Sequence, residues 1–76
     1  MKLKEIEHTS EYQFLIKFEN GEVMSADLKD LICKYVNKND LKTAHINQEW
    51  GCLEFNNGKV DIEPKTLYQY AKKQIH

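Results

Sequence analysis

The chain has 76 residues and a net charge of −1, with 12 acidic residues against 11 basic ones, all lysine. This length predicts one small domain over residues 1–76 with a single core, and the balanced charge gives no field that attracts nucleic acid or an anionic membrane. The sequence has no apolar run long enough to span a bilayer and no secretory leader after Met1. Its two cysteines form no CxxC pattern, so we expect a reduced, cytoplasmic protein.

The first third of the chain predicts three strands. Residues 3–8 set Leu3 and Ile6 among charges, a pattern typical of an edge strand whose lysines discourage unwanted pairing. Residues 12–19 alternate, which places four apolar side chains on one face: Tyr12, Phe14, Ile16 and Phe18. Asn20-Gly21 is a strong signal for a two-residue hairpin turn. That turn pairs Phe18 with Val23 and Leu15 with Ala26, leaving a partly apolar second face of Leu15, Met24 and Ala26 for a helix to cover.

A helix is predicted after the first hairpin. Asp27 suits its N-cap, and the apolar residues that follow share one helical stripe: Leu28, Leu31, Ile32, Tyr35 and Val36. Residues 38–42 predict a single helical turn anchored by Leu41. A strand over residues 43–47 and a turn over residues 48–51 come next.

The second hairpin repeats the first. Residues 18–23 (FENGEV) are echoed by residues 55–60 (FNNGKV), and a turn around Asn57-Gly58 pairs Phe55 with Val60 and Leu53 with Ile62. Pro64 suits the first position of the last helix, whose buried stripe is Leu67, Tyr68, Ala71 and Ile75. The sequence therefore predicts an α+β fold: a small, mostly antiparallel sheet of five to six strands with two helices, in the order β-β-β-α-β-β-β-α.

No catalytic, cofactor or metal motif is present in the sequence. Five residues could ligate a metal, but none of them stand at zinc-type spacing: His8, His45, His76, Cys33 and Cys52. His45 and Cys52 fall on adjacent predicted strands, where a thiol nucleophile would need them, but no third group orients them. We expect Cys52 to be a buried structural thiol, and we expect neither a cofactor nor an enzymatic activity.

The aromatic residues are the better indication of function. Trp50 falls in the turn over residues 48–51, Tyr70 lies off the stripe of the last helix, and Tyr12 is at a strand start. Exposed Trp and Tyr side chains are favoured interface anchors, so these three are the candidate partner-binding residues. A Trp50 that folds back over the core is the alternative, and the sequence leaves both open.

The motif over residues 57–68 (NGKVDIEPKTLY) resembles the uncharacterised bacterial family called domain of unknown function 2442, from about residue 3 to residue 70. That family commonly has Trp-Pro before the Asn-Gly, where this chain has Phe55-Asn56. The resemblance implies an α+β domain of the Nitrosomonas N-terminal type, and some relatives are suspected antitoxins of small toxin-like neighbours. Turn, cap and packing roles explain the shared residues: Asn20, Gly21, Asp27, Asn57, Gly58, Asp61, Pro64, Leu67 and Tyr68.

The sequence therefore favours two main hypotheses for the function of the protein. The first is a non-enzymatic interaction module that binds another small protein, as the antitoxin-like partner of a small toxin-like protein, through its edge strand or its aromatic anchors. The alternative is a nucleic-acid-associated regulator that uses lysines of the last helix and the preceding hairpin: Lys59, Lys65, Lys72 and Lys73. An enzyme is the weakest hypothesis, because no pair of convergent titratable groups is evident. Self-association as a homodimer stays open.

Overall fold

The computed structural model describes residues 1–74, so the predictions for Ile75 and His76 lie outside the described residues. The element order is β1 (Leu3–Ser10), β2 (Gln13–Phe18), β3 (Val23–Asp27), α1 (Lys29–Ile32), a 3₁₀ helix (Lys38–Thr43), β4 (His45–Ile46), β5 (Leu53–Phe55), β6 (Val60–Ile62) and α2 (Pro64–Gln74). The six strands form two antiparallel three-stranded sheets, ordered β1-β2-β3 and β4-β5-β6. The α+β class and the predicted element order are confirmed, with two small sheets in place of one.

The first hairpin differs from its predicted register by one residue. Its loop has three residues, because the Phe18 N–H bonds to the Glu22 carbonyl at 2.9 Å and the Gly21 N–H bonds to the Phe18 carbonyl at 3.0 Å. Of the three loop residues, only Gly21 takes a positive φ, of 93°, as a type I turn followed by a left-handed residue requires. The two-residue turn predicted from Asn20-Gly21 is therefore wrong, although the Asn20 side chain does hold the turn by accepting from the Glu22 N–H at 3.0 Å.

This shift moves side chains between the two faces of the first sheet. Ile16 lies opposite Met24 and Phe14 opposite Ala26, and all four are buried. Leu15 lies opposite Ser25 on the exposed face, so the predicted face of Leu15, Met24 and Ala26 does not exist. A one-residue slip has this effect because side chains alternate along a strand.

One cluster of buried side chains joins both sheets to α2. Phe14 of the first sheet meets Phe55 of the second edge to face, with ring centroids 6.0 Å apart. Phe18 packs in the same way on Tyr68 of α2, at 5.1 Å. Leu67 and Ala71 of α2 are buried as predicted. These contacts fix α2 and the second sheet against the inner face of the first.

The helix after β3 is a single turn, shorter than predicted. Leu28, Ile32 and Val36 are buried in line with the predicted stripe, but Tyr35 is 68% exposed. α1 ends at Ile32, and in the turn that follows the Val36 N–H still bonds to the Ile32 carbonyl at 2.9 Å. Val36 is therefore buried, while the Tyr35 side chain lies in solvent. The second hairpin keeps its predicted register, with Phe55 opposite Val60 and Leu53 opposite Ile62.

Candidate functional site

Trp50 lies on a braced turn between β4 and β5 and is 69% exposed. The side-chain oxygen of Asn47 accepts hydrogen bonds from the N–H groups of Glu49 and Trp50, both at 2.9 Å. The Gly51 N–H donates to the Asn47 carbonyl at 2.7 Å, and the Gly51 carbonyl accepts from the Leu3 N–H at 2.9 Å. The backbone of the turn is thus tied to β1 and to its own start while the indole remains in solvent.

The outer face of the second sheet is polar and ordered. Its register sets His45 opposite Glu54 and Glu54 opposite Asp61, and Cys52 shares this face because it precedes Glu54 by two residues. The two carboxylate oxygens of Glu54 are held separately, by His45 Nε2 at 2.9 Å and by Asn47 Nδ2 at 3.2 Å. His45 Nδ1 also lies 3.1 Å from the Thr43 carbonyl oxygen, so both ring nitrogens have a polar neighbour.

Cys52, Glu54 and Asp61 converge on one point of this face. One donor atom from each residue lies within 4.8 Å of the others. Burial, followed by the charges of Glu54 and Asp61, raises the pKa of the Cys52 thiol above its ordinary value. The thiol is therefore protonated at neutral pH and is a poor nucleophile. A sulfur donor and two carboxylates together are a set that could hold a metal ion.

Two hollows adjoin this cluster and share its acidic side. The Trp50 hollow, of about 400 Å³, is lined by Met1, Trp50, Cys52, Glu54, Asp61, Glu63, Pro64 and Lys65. The Tyr35 hollow, of about 360 Å³, is lined by Leu31, Ile32, Tyr35, Val60, Asp61, Ile62, Glu63 and Thr66. Asp61 and Glu63 belong to both, and we call these two residues the acidic ridge. An exposed aromatic side chain thus lies in each hollow, on opposite sides of the ridge.

The other two candidate anchors are not exposed like Trp50. Tyr12 is only 6% exposed, and its hydroxyl donates a buried hydrogen bond to the Val36 carbonyl at 2.8 Å. The expectation that Tyr12 serves as an exposed anchor is therefore wrong. Tyr70 is half-buried against the core. Burial, followed by the charges of Asp30 and Asp27, raises the pKa of its phenol.

The residues of the shared motif fall into two groups. Pro64 begins α2 as expected, and the Tyr68 hydroxyl donates to Glu22 at 2.8 Å. The N-cap predicted at Asp27 is wrong by one residue, because Leu28 takes that position, although the Asp27 carboxylate accepts from the Lys29 N–H at 2.9 Å. Asn57 and Gly58 both take positive φ, of 58° and 86°. Asp61 differs, because it lies within β6 opposite Glu54 and its carboxylate approaches Cys52 and Glu54.

The lysines proposed for nucleic-acid binding stand among acidic groups. Lys72 lies 3.7 Å from Glu22 and 5.4 Å from the centroid of the Tyr68 ring. Lys65 lines the Trp50 hollow beside the acidic ridge. No observation on this surface favours a nucleic-acid partner over a protein.

Four residues of the site were not found from the sequence: Tyr35, Asn47, Glu54 and Glu63. The predicted register of the second hairpin carried a usable signal, because pairing Phe55 with Val60 and Leu53 with Ile62 also pairs Glu54 with Asp61. The alternation of side chains then adds Cys52 to the same face. The exposure of Tyr35 had no such signal, since its spacing matches the buried stripe.

A family model described as a protein of unknown function, DUF2442, matches residues 3–73. No curated protein and no solved structure matches the chain. Over residues 1–74, the structure contains no helix that is both long and apolar enough to cross a membrane.

Proposed function

Since the chain belongs to the DUF2442 family of proteins of unknown function, we propose its role from its surface: a non-enzymatic interaction module that binds another small protein. The observation that carries this proposal is Trp50, 69% exposed on a hydrogen-bonded turn. A large aromatic side chain held in solvent on a rigid turn loses little conformational freedom when a partner covers it. Tryptophan is also among the residues most enriched at the energetic centres of interfaces.

The charge of the surface indicates the chemistry of the partner. Glu54 and the acidic ridge give the Trp50 hollow three carboxylates against a single lysine, Lys65. Complementary charge steers encounter and fixes register between two proteins. The partner that fits presents an apolar contact to Trp50 and flanks it with lysine or arginine side chains that reach Glu63.

The mechanism is steric masking, the role of the neutralising half of a toxin–antitoxin-like pair. The partner's own working surface becomes inaccessible once it is seated on the Trp50 face. We place this role in the cytoplasm, because Cys33 and Cys52 are both free thiols and structural disulfides are the rule outside it.

Two features of the site support binding without catalysis. The raised pKa of Cys52 removes the thiolate that nucleophilic attack requires. His45 bonds to Glu54 at 2.9 Å and so serves to orient a carboxylate.

The test compares capture by three immobilised proteins: wild type, Trp50→Ala and Val23→Ala. Val23 is the matched control, since it is 54% exposed on the far sheet. A protein retained by wild type and by Val23→Ala, and lost with Trp50→Ala, is the partner.

The affinity of that purified partner is then measured. We expect Trp50→Ala to weaken binding by about 2 kcal/mol or more, which is about 30-fold in Kd, and Val23→Ala to leave it within about twofold. Equal retention by all three proteins would remove the Trp50 face from the interface.

A further inference from the structure

We propose that the second sheet carries a zinc site, in which Cys52 Sγ, one carboxylate oxygen of Glu54 and one of Asp61 ligate the ion at the floor of the Trp50 hollow. The zinc site and the partner-binding proposal share the carboxylates of Glu54 and Asp61, but each can fail alone, because the ion is assigned to the floor of the hollow and the partner to the indole and to Glu63. The site consists of one thiol and two carboxylates that strand register brings together.

The spacing of the donors is within reach of a tetrahedral site. The three donor atoms lie within 4.8 Å of one another. In a zinc site with bonds of about 2.3 Å to sulfur and 2.1 Å to oxygen, donor atoms stand about 3.4–3.6 Å apart. To reach that spacing, side-chain rotation must move a donor atom by about 1 Å. The side chain of Asp61 can make this movement because it is exposed.

The Cys52 thiol distinguishes this cluster from an ordinary group of acidic residues. Cys52 is only 9% exposed, yet its side chain lines the hollow and its sulfur approaches two carboxylates rather than the apolar core. A buried cysteine ordinarily packs as a small hydrophobic residue. In this protein the Cys52 sulfur converges with the carboxylate oxygens of Glu54 and Asp61, as the donor atoms of a metal site do.

The charges around this point favour a cation. Glu54 and Asp61 lie directly opposite each other on β5 and β6, an arrangement that costs stability when both carry the same charge. Within residues 1–74, Glu54 is hydrogen-bonded to His45 and Asn47, whereas Asp61 forms no ion pair. A divalent ion between the two carboxylates converts this repulsion into attraction on both sides.

The groups behind the ligands are those that a metal site needs. His45 and Asn47 each hold one oxygen of Glu54, which fixes the carboxylate plane and leaves a lone pair on each oxygen. Such outer hydrogen bonds orient the ligands of metal sites. Asn47 also holds the Trp50 turn, so the floor and the rim of the hollow share one support.

The donor set selects the metal. A thiolate favours zinc over magnesium or calcium, which prefer all-oxygen sites, and zinc accepts the carboxylates as well. On binding, the Cys52 S–H bond breaks, its proton passes to solvent, and the sulfur lone pair forms the bond to zinc without a change of oxidation state. Three protein ligands leave the fourth position open to water.

The test titrates tag-free, chelator-treated protein with Co²⁺, which gives a thiolate-to-metal charge-transfer band in the near ultraviolet only when sulfur is bound. We expect the band to appear in wild type, to be displaced by Zn²⁺, and to be accompanied by release of about one proton per ion. Cys33→Ser is the matched control, because Cys33 is the exposed thiol of the α1 region, and it should keep the band.

Two variants complete the design. Cys52→Ser should abolish the band, with circular dichroism confirming its fold. Asp61→Asn alters an exposed position and keeps the thiol, so it should retain the band at an affinity at least 10-fold lower. Absence of the band in wild type, its loss in Cys33→Ser, or an unchanged affinity in Asp61→Asn would each overturn the site.

Discussion

Asp61→Asn should make the metal-free protein more stable, although it removes a residue of the family motif. Asp61 faces Glu54 directly across the β5–β6 ladder, and like charges in that position cost about 0.2–1 kcal/mol. Asp61 is exposed, so solvent screens the repulsion and a gain near the middle of this range, about 0.5 kcal/mol, is expected. For a chain of this size the entropy of unfolding is about 0.16 kcal/mol/K, so Tm should rise by about 3 °C.

The assay is thermal and urea unfolding followed by circular dichroism in buffer that contains a chelator. Glu49→Gln is the matched control, since it removes one negative charge from the neighbouring exposed turn without a carboxylate facing it across a strand pair. The gain from Asp61→Asn should shrink in about 1 M salt, where the screening length is about 3 Å.

A Tm at or below that of wild type would refute this account of the acidic pair. An equal gain from Glu49→Gln would attribute the effect to net charge instead. Zinc should reverse the order of the two proteins, because wild type has the complete donor set and gains more stability from the bound ion.

Three further predictions concern the fold and the thiol. Tyr12→Phe should lower the free energy of unfolding by about 1–2 kcal/mol in urea titrations, because the buried Val36 carbonyl loses its donor; an unchanged midpoint would show that water replaces the hydroxyl. Gly51→Ala should cost at least about 1 kcal/mol more than Gly21→Ala, although both glycines have positive φ. A Cβ at Gly51 would lie 2.4 Å from Cβ of Lys2, whereas one at Gly21 meets nothing within 4 Å, so equal losses would contradict the close approach of the turn to β1. The free energy of unfolding should fall as pH rises above about 8.5, the ordinary thiol pKa. The pKa of Cys52 is raised in the folded state, so the folded protein binds the thiol proton more tightly than the unfolded chain does. The stability that this proton contributes below that pH is lost as pH passes through the folded pKa. Cys52→Ser should flatten this slope in denaturation curves between pH 8 and 10, and an unchanged slope would contradict the assignment to this thiol.

The hairpins show how far local sequence determines register. Asn20-Gly21 and Asn57-Gly58 are the same dipeptide, yet the first closes a three-residue loop and the second lies in a four-residue loop. Asn57 takes a positive φ and Asn20 does not. In the first hairpin, burial of Phe14, Ile16, Met24 and Ala26 on one face fixes the register, and the turn adapts to it. A dipeptide signal predicts a hairpin but not its loop length, because tertiary burial stabilises the register more strongly.

The aromatic residues show the same limit. Tyr12 and Tyr35 both sit on predicted apolar patterns, but Tyr12 is buried and Tyr35 is exposed. The hydroxyl of Tyr12 finds a buried acceptor 24 residues away, which no local pattern predicts. Tyr35 lies in the turn after α1, where its neighbour Val36 is buried and its own side chain is in solvent. Exposure of an aromatic side chain depends on where the helix stops, and helix ends are set by contacts distant in sequence.

The candidate site was partly predictable. Alternation and the register of the second hairpin place Cys52, Glu54 and Asp61 on one face from sequence alone. The hydrogen bonds that support that face were not predictable. The side-chain amide of Asn47 accepts from the Trp50 N–H through its oxygen and donates to Glu54 through its nitrogen, so it joins two different elements. The Tyr35 hollow also depends on how the α1 region packs beside the second sheet, which is a property of the whole fold.

The most direct test of the account is the fluorescence of Trp50 when the captured partner is added. Trp50 is the sole tryptophan of the chain, so with a partner that lacks tryptophan, or with Trp50 selectively labelled by a fluorinated analogue, the signal belongs to this residue. If the partner covers the Trp50 face, the emission should shift to the blue and quenching by acrylamide should fall in proportion to the fraction bound. A partner that binds with full stoichiometry in calorimetry while Trp50 remains as open to acrylamide as in the free protein would contradict the account.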